Sequence, residues 1–268
     1  RMDSCGAGFV ARGMFQAILE DAAPIDLQLL GRVLIHAIAV GAACGFVACG
    51  LYVALELAQH VSISYLAGYA WIGAAGEILD VEGFDASIER PYLLPVLPAI
   101  GAFAASYLSR TFAPETAGAG ADAAIGAFHQ KVSEVRRRVI TLKAITTILT
   151  LGTGGAGGRE GPTMHIGGAI GSTVARYLNV SQRERRILLV AGMAAGTSAI
   201  FRTPLGAALL AVEILYKDDF EAEALVPAVL ASVVSYSVFI SLMGEATLFA
   251  TANEYPFVIA HLPLYLVM

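Results

Sequence analysis

Apolar positions along this chain come in long blocks and do not alternate with polar ones. The longest block covers 27–58. At 1.5 Å per residue it exceeds the ~20 residues that cross a bilayer, so it predicts a helix that tilts or protrudes. A second span is expected over 92–112, broken early by Pro95 and Pro98, and a further span over 224–242. Shorter pieces lie between them. One is a helix over 123–130 with Asp122 as N-cap, and one is an apolar stretch over 139–151 interrupted by Lys143. Another, over 163–178, is too short and Gly-rich to span alone. Arg183, Arg185 and Arg186 open a helix to about Ser198, and Thr203-Pro204 starts one ending near Lys217. Two or three full spans are thus mixed with broken segments. Backbone breaks at membrane depth are tolerated only where they face protein or a wet cavity, and they mark solute sites in transporters.

Charged positions set the orientation. The stretch 61–90 carries Glu77, Asp80, Glu82, Asp85 and Glu89 against Arg90 alone, whereas Lys131, Arg136, Arg137 and Arg138 cluster after the second span. The positive-inside rule puts the basic loop in the cytoplasm and the acidic one outside. Residues 1–26 read as an N-terminal cytoplasmic segment, followed by a transmembrane domain over 27–268. The chain opens on Arg1 and reaches Met268 inside a new apolar run from Pro256, so a fragment of a longer protein is expected.

Composition sharpens the class. Hydrophobic residues make up 57% and charged residues 15%, and the mean hydropathy is +0.69. Ordinary soluble domains are about 25% charged. A disordered chain, a coiled coil and a basic nucleic-acid binder are excluded, and an enzyme is not expected. Continuous apolar runs argue against a β-barrel. The expected fold is all-α: an integral, multi-pass membrane protein with tilted and broken helices. The net charge of −5 offers no basic patch for nucleic acid. Cys44 and Cys49, five apart, do not share a helix face and read as packing residues, as Cys5 reads as part of an irregular N-terminus. No metal-ligand spacing occurs and no cofactor is expected. His36, His165 and His261 read as packing or interface residues, and Glu56, near the end of the long helix, as reaching the interface. Ser172, Ser198 and Ser235 lack a nucleophile's sequence context.

The candidate chemistry centres on Gly158-Arg159-Glu160-Gly161-Pro162. Pro162 suits the first position of a helix, where its missing N–H would have no partner anyway. Gly161 permits close approach. The N–H groups of Thr163 and Met164 are then expected to point back past Glu160, with the positive end of the helix dipole. In low dielectric that is a good anion site. The Glu160 carboxylate is a tethered anion that can fill it, or swing away or take a proton and so unblock it. That behaviour is a gate. A second pattern, Gly152-x-Gly154-x-x-Gly157, matches a dinucleotide fingerprint, but the surrounding strand–helix–strand context is absent.

The run Gly158-Arg159-Glu160-Gly161-Pro162-Thr163-Met164-His165-Ile166-Gly167-Gly168 resembles the signature of CLC chloride channels and chloride/proton exchangers. The likeness continues through Ala194-Ala195-Gly196 and Phe201-Arg202-Thr203-Pro204-Leu205-Gly206 to Glu213. It implies a dimer of independent pores, each built from two inverted repeats, of which this chain resembles the first and the start of the second. Glu160 then matches the external gate, and Arg159, Gly161 and Thr163 belong to the outer anion site. Gly118, Ala119 and Gly120 match the first pore loop, and Lys143 falls where the family has a basic residue. Ala119 stands where the family's Ser hydroxyl touches the central anion, and Asp122 replaces a Pro; the lost hydroxyl puts the halide preference in question. Ile214 occupies the internal proton-site position, where exchangers carry Glu and channels an apolar residue, while Glu213 matches a structural glutamate of both. The reading is chloride or other small-anion transport in a bacterial plasma membrane as a homodimer, with passive flux gated by Glu160. Chloride/proton exchange and a non-conducting truncated scaffold are the alternatives.

Overall fold

The computed structural model describes residues 27–69, 90–130, 134–217 and 221–244, with side chains from Gly31 onward. The helices are α1 (Leu27–Gln59), α2 (Leu93–Phe112), α3 (Ala121–His129), α4 (Arg138–Leu151), α5 (Glu160–Tyr177), α6 (Gln182–Phe201), α7 (Pro204–Glu213) and α8 (Ala222–Met243). A π-helix, His60–Leu66, continues α1, and a 3₁₀ turn, Pro114–Thr116, follows α2. No strand occurs among the described residues. Gly31–Leu66, Leu93–Phe112 and Ala222–Met243 are long and apolar enough to cross a membrane.

α6 is the axis of the bundle, and every residue from Ile187 to Ile200 is buried. α1, α5, α7 and α8 all pack on it. Helices in lipid gain little from apolar burial against one another, so close backbone approach carries the association. Gly167 and Gly171 on α5, and Gly192 and Gly196 on α6, each lie one turn apart and share a face. A Cβ on Gly167 would stand 2.1 Å from the Gly192 carbonyl oxygen, and one on Gly192 2.2 Å from that of Gly167. The same device joins α1 to α8, where Gly41 and Gly45 face the Ala231 and Ser235 carbonyls. Ser198 Oγ donates to the Ser232 carbonyl at 2.9 Å and Ser235 Oγ to that of Ala195 at 2.8 Å, tying α6 to α8. Cys44 is buried where α1 crosses α5 and α6, its Sγ 3.8 Å from the Gly192 carbonyl. It is the packing residue that the sequence suggested.

Several boundaries depart from expectation. Helix continues past residue 60 into the stretch read as a connection. Pro95 and Pro98 do not break α2. Pro95 is its third residue, where an N–H has no intrahelical partner, and Pro98 forfeits a single bond to Leu94. Gly120, at φ 109°, caps α3, so Asp122 lies inside the first turn and meets the helix dipole there. α7 ends at Glu213, four residues before Lys217. In agreement with the rejected dinucleotide pattern, the residues before Gly152 form helix α4 and not a strand. Glu56 is buried, not placed at an interface. The N-terminal segment 1–26, Cys5, most of the acidic loop and His261 lie outside the described residues.

Candidate functional site

The loop before α3 is forced by its glycines. Gly118 has φ 75° and Gly120 φ 109°, both in the left-handed region where a Cβ is strained. Gly161 at the start of α5 sits against this loop, and a Cβ there would lie 2.6 Å from the Ala119 carbonyl oxygen. From α4, the buried Lys143 reaches the same loop. Its ammonium donates to the Thr116 carbonyl at 3.0 Å and to the Gly118 carbonyl at 2.6 Å. Thr116 is itself fixed, its Oγ1 donating to the Ala113 carbonyl at 2.7 Å and lying 3.0 Å from Ser109 Oγ. Three sequence-predicted features, the 118–120 loop, Lys143 and Gly161, thus converge. Gly118, Ala119, Lys143, Gly158 and Pro162 line one open cavity of about 430 Å³ between α2 and α4.

α5 starts at Glu160, two residues before the expected Pro162, with Arg159 as N-cap. The consequence is a correction at Thr163. Its N–H donates to the Arg159 carbonyl at 3.1 Å, and its Oγ1 donates to the carbonyls of Arg159 and Glu160 at 2.9 and 3.0 Å. Thr163 stabilises the helix start and does not point a free N–H outward. With Pro162 lacking an N–H, Glu160 and Gly161 supply the first-turn donors that have no intrahelical partner. Glu160 is exposed, and its carboxylate is folded back over Gly158, where a Cβ would meet Oε2 at 2.0 Å. A methyl at 158 would therefore displace this flexible carboxylate end and would meet no backbone. Arg159 lies 6.0 Å above the Tyr52 ring.

Two residues near the site carried no role in the sequence reading. Arg202 ends α6 in a left-handed conformation at φ 54°, its guanidinium 5.8 Å from the Phe239 ring, and Phe239 meets Tyr52 edge-on at 5.5 Å. The antiparallel α5–α6 crossing brings Arg202 to the same end of the bundle as Arg159, so two guanidiniums flank this aromatic pair near Glu160. A non-Gly residue before Thr203-Pro204, at an obligatory helix end, was the available signal. His165, one turn beyond Gly161, is buried behind Gly120, and its Nδ1 has no hydrogen-bond partner. The i, i+4 spacing from Gly161 was the signal there.

Ile214 is apart from this group. It caps the far end of α7, about 15 Å along the axis from Thr203, half-buried in an apolar cluster with Val33, Phe128, Met193 and Leu215. Glu213 is exposed.

The model of the voltage gated chloride channel family matches residues 101–268. The chain belongs to that family. The matched stretch holds the 118–120 loop, Lys143, Glu160 and Ile214 together. Among relatives, the H(+)/Cl(−) exchange transporter ClcA of Citrobacter koseri is 40% identical over 119 residues, covering 44% of this chain and 25% of that protein. The chloride/fluoride channel protein of Pseudomonas syringae pv. tomato is 30% identical over 146 residues, 54% of this chain and 32% of that one. A slow cyanobacterial Cl⁻/H⁺ antiporter shares the fold, with TM-score 0.69 at 23% identity, over 88% of this chain and 52% of that one. The chain thus spans about half or less of the proteins it matches. As a member of the voltage gated chloride channel family it is an all-α, multi-pass integral membrane protein.

Proposed function

We propose that the protein of which this chain forms the first repeat carries small anions, chloride first, across a bacterial plasma membrane, with Glu160 as gate. The observation that carries the reading is the convergence of the 118–120 loop, the Lys143 ammonium and the α5 start on one cavity. Backbone donors and a fixed cation gathered in low dielectric favour an anion. Ala119 lines the cavity with a methyl where a hydroxyl would have added about 1 kcal/mol of anion preference, so weaker discrimination among halides accompanies the reading. Residues 1–26 are assigned to the cytoplasmic side, and a second copy of the protein is the proposed partner.

Passive flux is the favoured coupling, because Ile214 has no titratable group. Chloride/proton exchange is the second reading, favoured by the exchanger named among the relatives at 40% identity. The test uses the complete protein in planar bilayers under opposed chloride and pH gradients. A reversal potential that follows chloride alone supports the passive reading. One that shifts with the pH gradient replaces it with exchange, and absence of chloride-dependent current overturns both.

A further inference from the structure

The cavity between α2 and α4 runs from Gly157 and Gly158, beside the folded-back Glu160 carboxylate, to Thr116 and Arg110. The charged side chains that line it, Lys143 and Arg110, are both cations. Hydroxyls line it from both helices, and each has a single hydrogen to donate. Most of those hydrogens are already committed. Thr146 Oγ1 donates to the Lys143 carbonyl at 3.1 Å and Thr150 Oγ1 to the Thr146 carbonyl at 2.8 Å. Thr116 Oγ1 donates to the Ala113 carbonyl, so in its 3.0 Å contact with Ser109 the shared hydrogen belongs to Ser109. These oxygens offer the cavity only lone pairs, which suit water and repel an anion. Ser106 and Thr147 differ, because neither donates to a protein group among the described residues. Ser106 is exposed, whereas Thr147 is only 5% exposed and Lys143 4%. Thr147 stands one turn beyond Lys143 on the same face of α4, at the spacing that puts side chains about 5–6 Å apart. Lys143 commits two of its three N–H groups to the Thr116 and Gly118 carbonyls. The third N–H and the Thr147 hydroxyl are the buried side-chain donors left for a ligand in the cavity.

We propose that Thr147 is the hydroxyl ligand of the anion in this cavity and sets its preference among halides, beside the third N–H of Lys143. This rests on the anion-transport reading above and deepens it. Ala119 presents a methyl to the same cavity, so no hydroxyl from the 118–120 loop competes for the position. A buried hydroxyl without a partner costs free energy, and an anion beside it recovers that cost. Chloride concentrates its charge in a smaller volume than iodide and accepts more strongly, so one donated O–H favours chloride. The contact is non-covalent, and the hydrogen stays on Thr147 Oγ1 throughout.

The test compares chloride and iodide efflux from liposomes holding the complete protein. Thr147→Val keeps the shape of the side chain and removes the donor, whereas Thr147→Ser keeps the donor and removes a methyl. Thr147→Ala serves if the first variant does not elute as a single species. The expected chloride-to-iodide efflux ratio is about fivefold below wild type for Thr147→Val, the size of one lost hydrogen bond, and within about twofold of wild type for Thr147→Ser. A wild-type ratio in the folded variant that lacks the hydroxyl overturns the role of Thr147 and leaves the anion reading standing. An equal drop in Thr147→Ser makes the effect one of volume and overturns that role as well. Should the wild-type protein release neither halide, the anion reading falls, and the proposal with it.

Discussion

Lys143 holds the Gly118 carbonyl at 2.6 Å, and through it fixes the loop against which Gly161 packs. The cation thereby spends two of its three donors on backbone, and in the proposed function it both shapes the anion site and contributes charge to it. Hydrogen bonds to a charged group are worth about 1.5–3 kcal/mol each. Lys143→Met should release the 116–118 loop and lower chloride efflux by about tenfold or more, with the protein still folded. Efflux at the wild-type rate from a well-folded variant would reduce Lys143 to a structural lysine with no part in conduction.

The α5–α6 crossing makes a separate prediction. Gly167→Ala forces a methyl against the Gly192 carbonyl oxygen, and overpacking of this kind costs about 1–3 kcal/mol. Gly50→Ala on α1 meets nothing within 4 Å and should stabilise by about 0.5–1 kcal/mol through helix propensity. Thermal melts in detergent read both. Equal melting temperatures for the two variants would contradict the close-approach account.

Acid stability follows from Glu115. Burial raises its carboxyl, but its own backbone hydrogen bond and the Arg138 and Arg136 guanidiniums outweigh that and hold it below the usual range. A carboxyl depressed in the folded state stabilises the protein above its unfolded value, about 4.3, and that contribution is lost as the pH falls through the folded value. Glu115→Gln should therefore lower stability at pH 7 by less than about 1 kcal/mol and leave it nearly unchanged at pH 2–3. Melting temperatures at both pH values check this, and a larger deficit in acid than at neutrality would contradict it.

How much the sequence revealed depends on the residue. The Thr203-Pro204 start, the three apolar spans and the need for close approach at Gly161 were legible because each follows from local chemistry, whereas the partner of Gly161, the 118–120 loop, was not. The α5 start was misplaced by two residues because Pro162 is tolerated anywhere in a first turn, so it does not mark the first position uniquely. The capping box of Ser181 and Glu184 was present as a local pattern, yet its importance comes from Arg32 on α1, which pairs with the buried Glu184 at 2.9 Å. Such pairings, like those of Arg202 with Phe239 and His129 with Leu215, join positions far apart in the chain and leave no periodic trace.

If Glu160 blocks an anion pathway at the start of α5, removing its charge should open that pathway. Chloride efflux from liposomes holding the complete protein tests it, comparing wild type with Glu160→Ala and Glu160→Gln across pH 4.5–7.5. Both variants are expected to release chloride about tenfold faster than wild type at neutral pH, equivalent to ~1.4 kcal/mol of lost blockade, with little further rise in acid. Wild-type rates in Glu160→Ala, with acid activation intact, would contradict it.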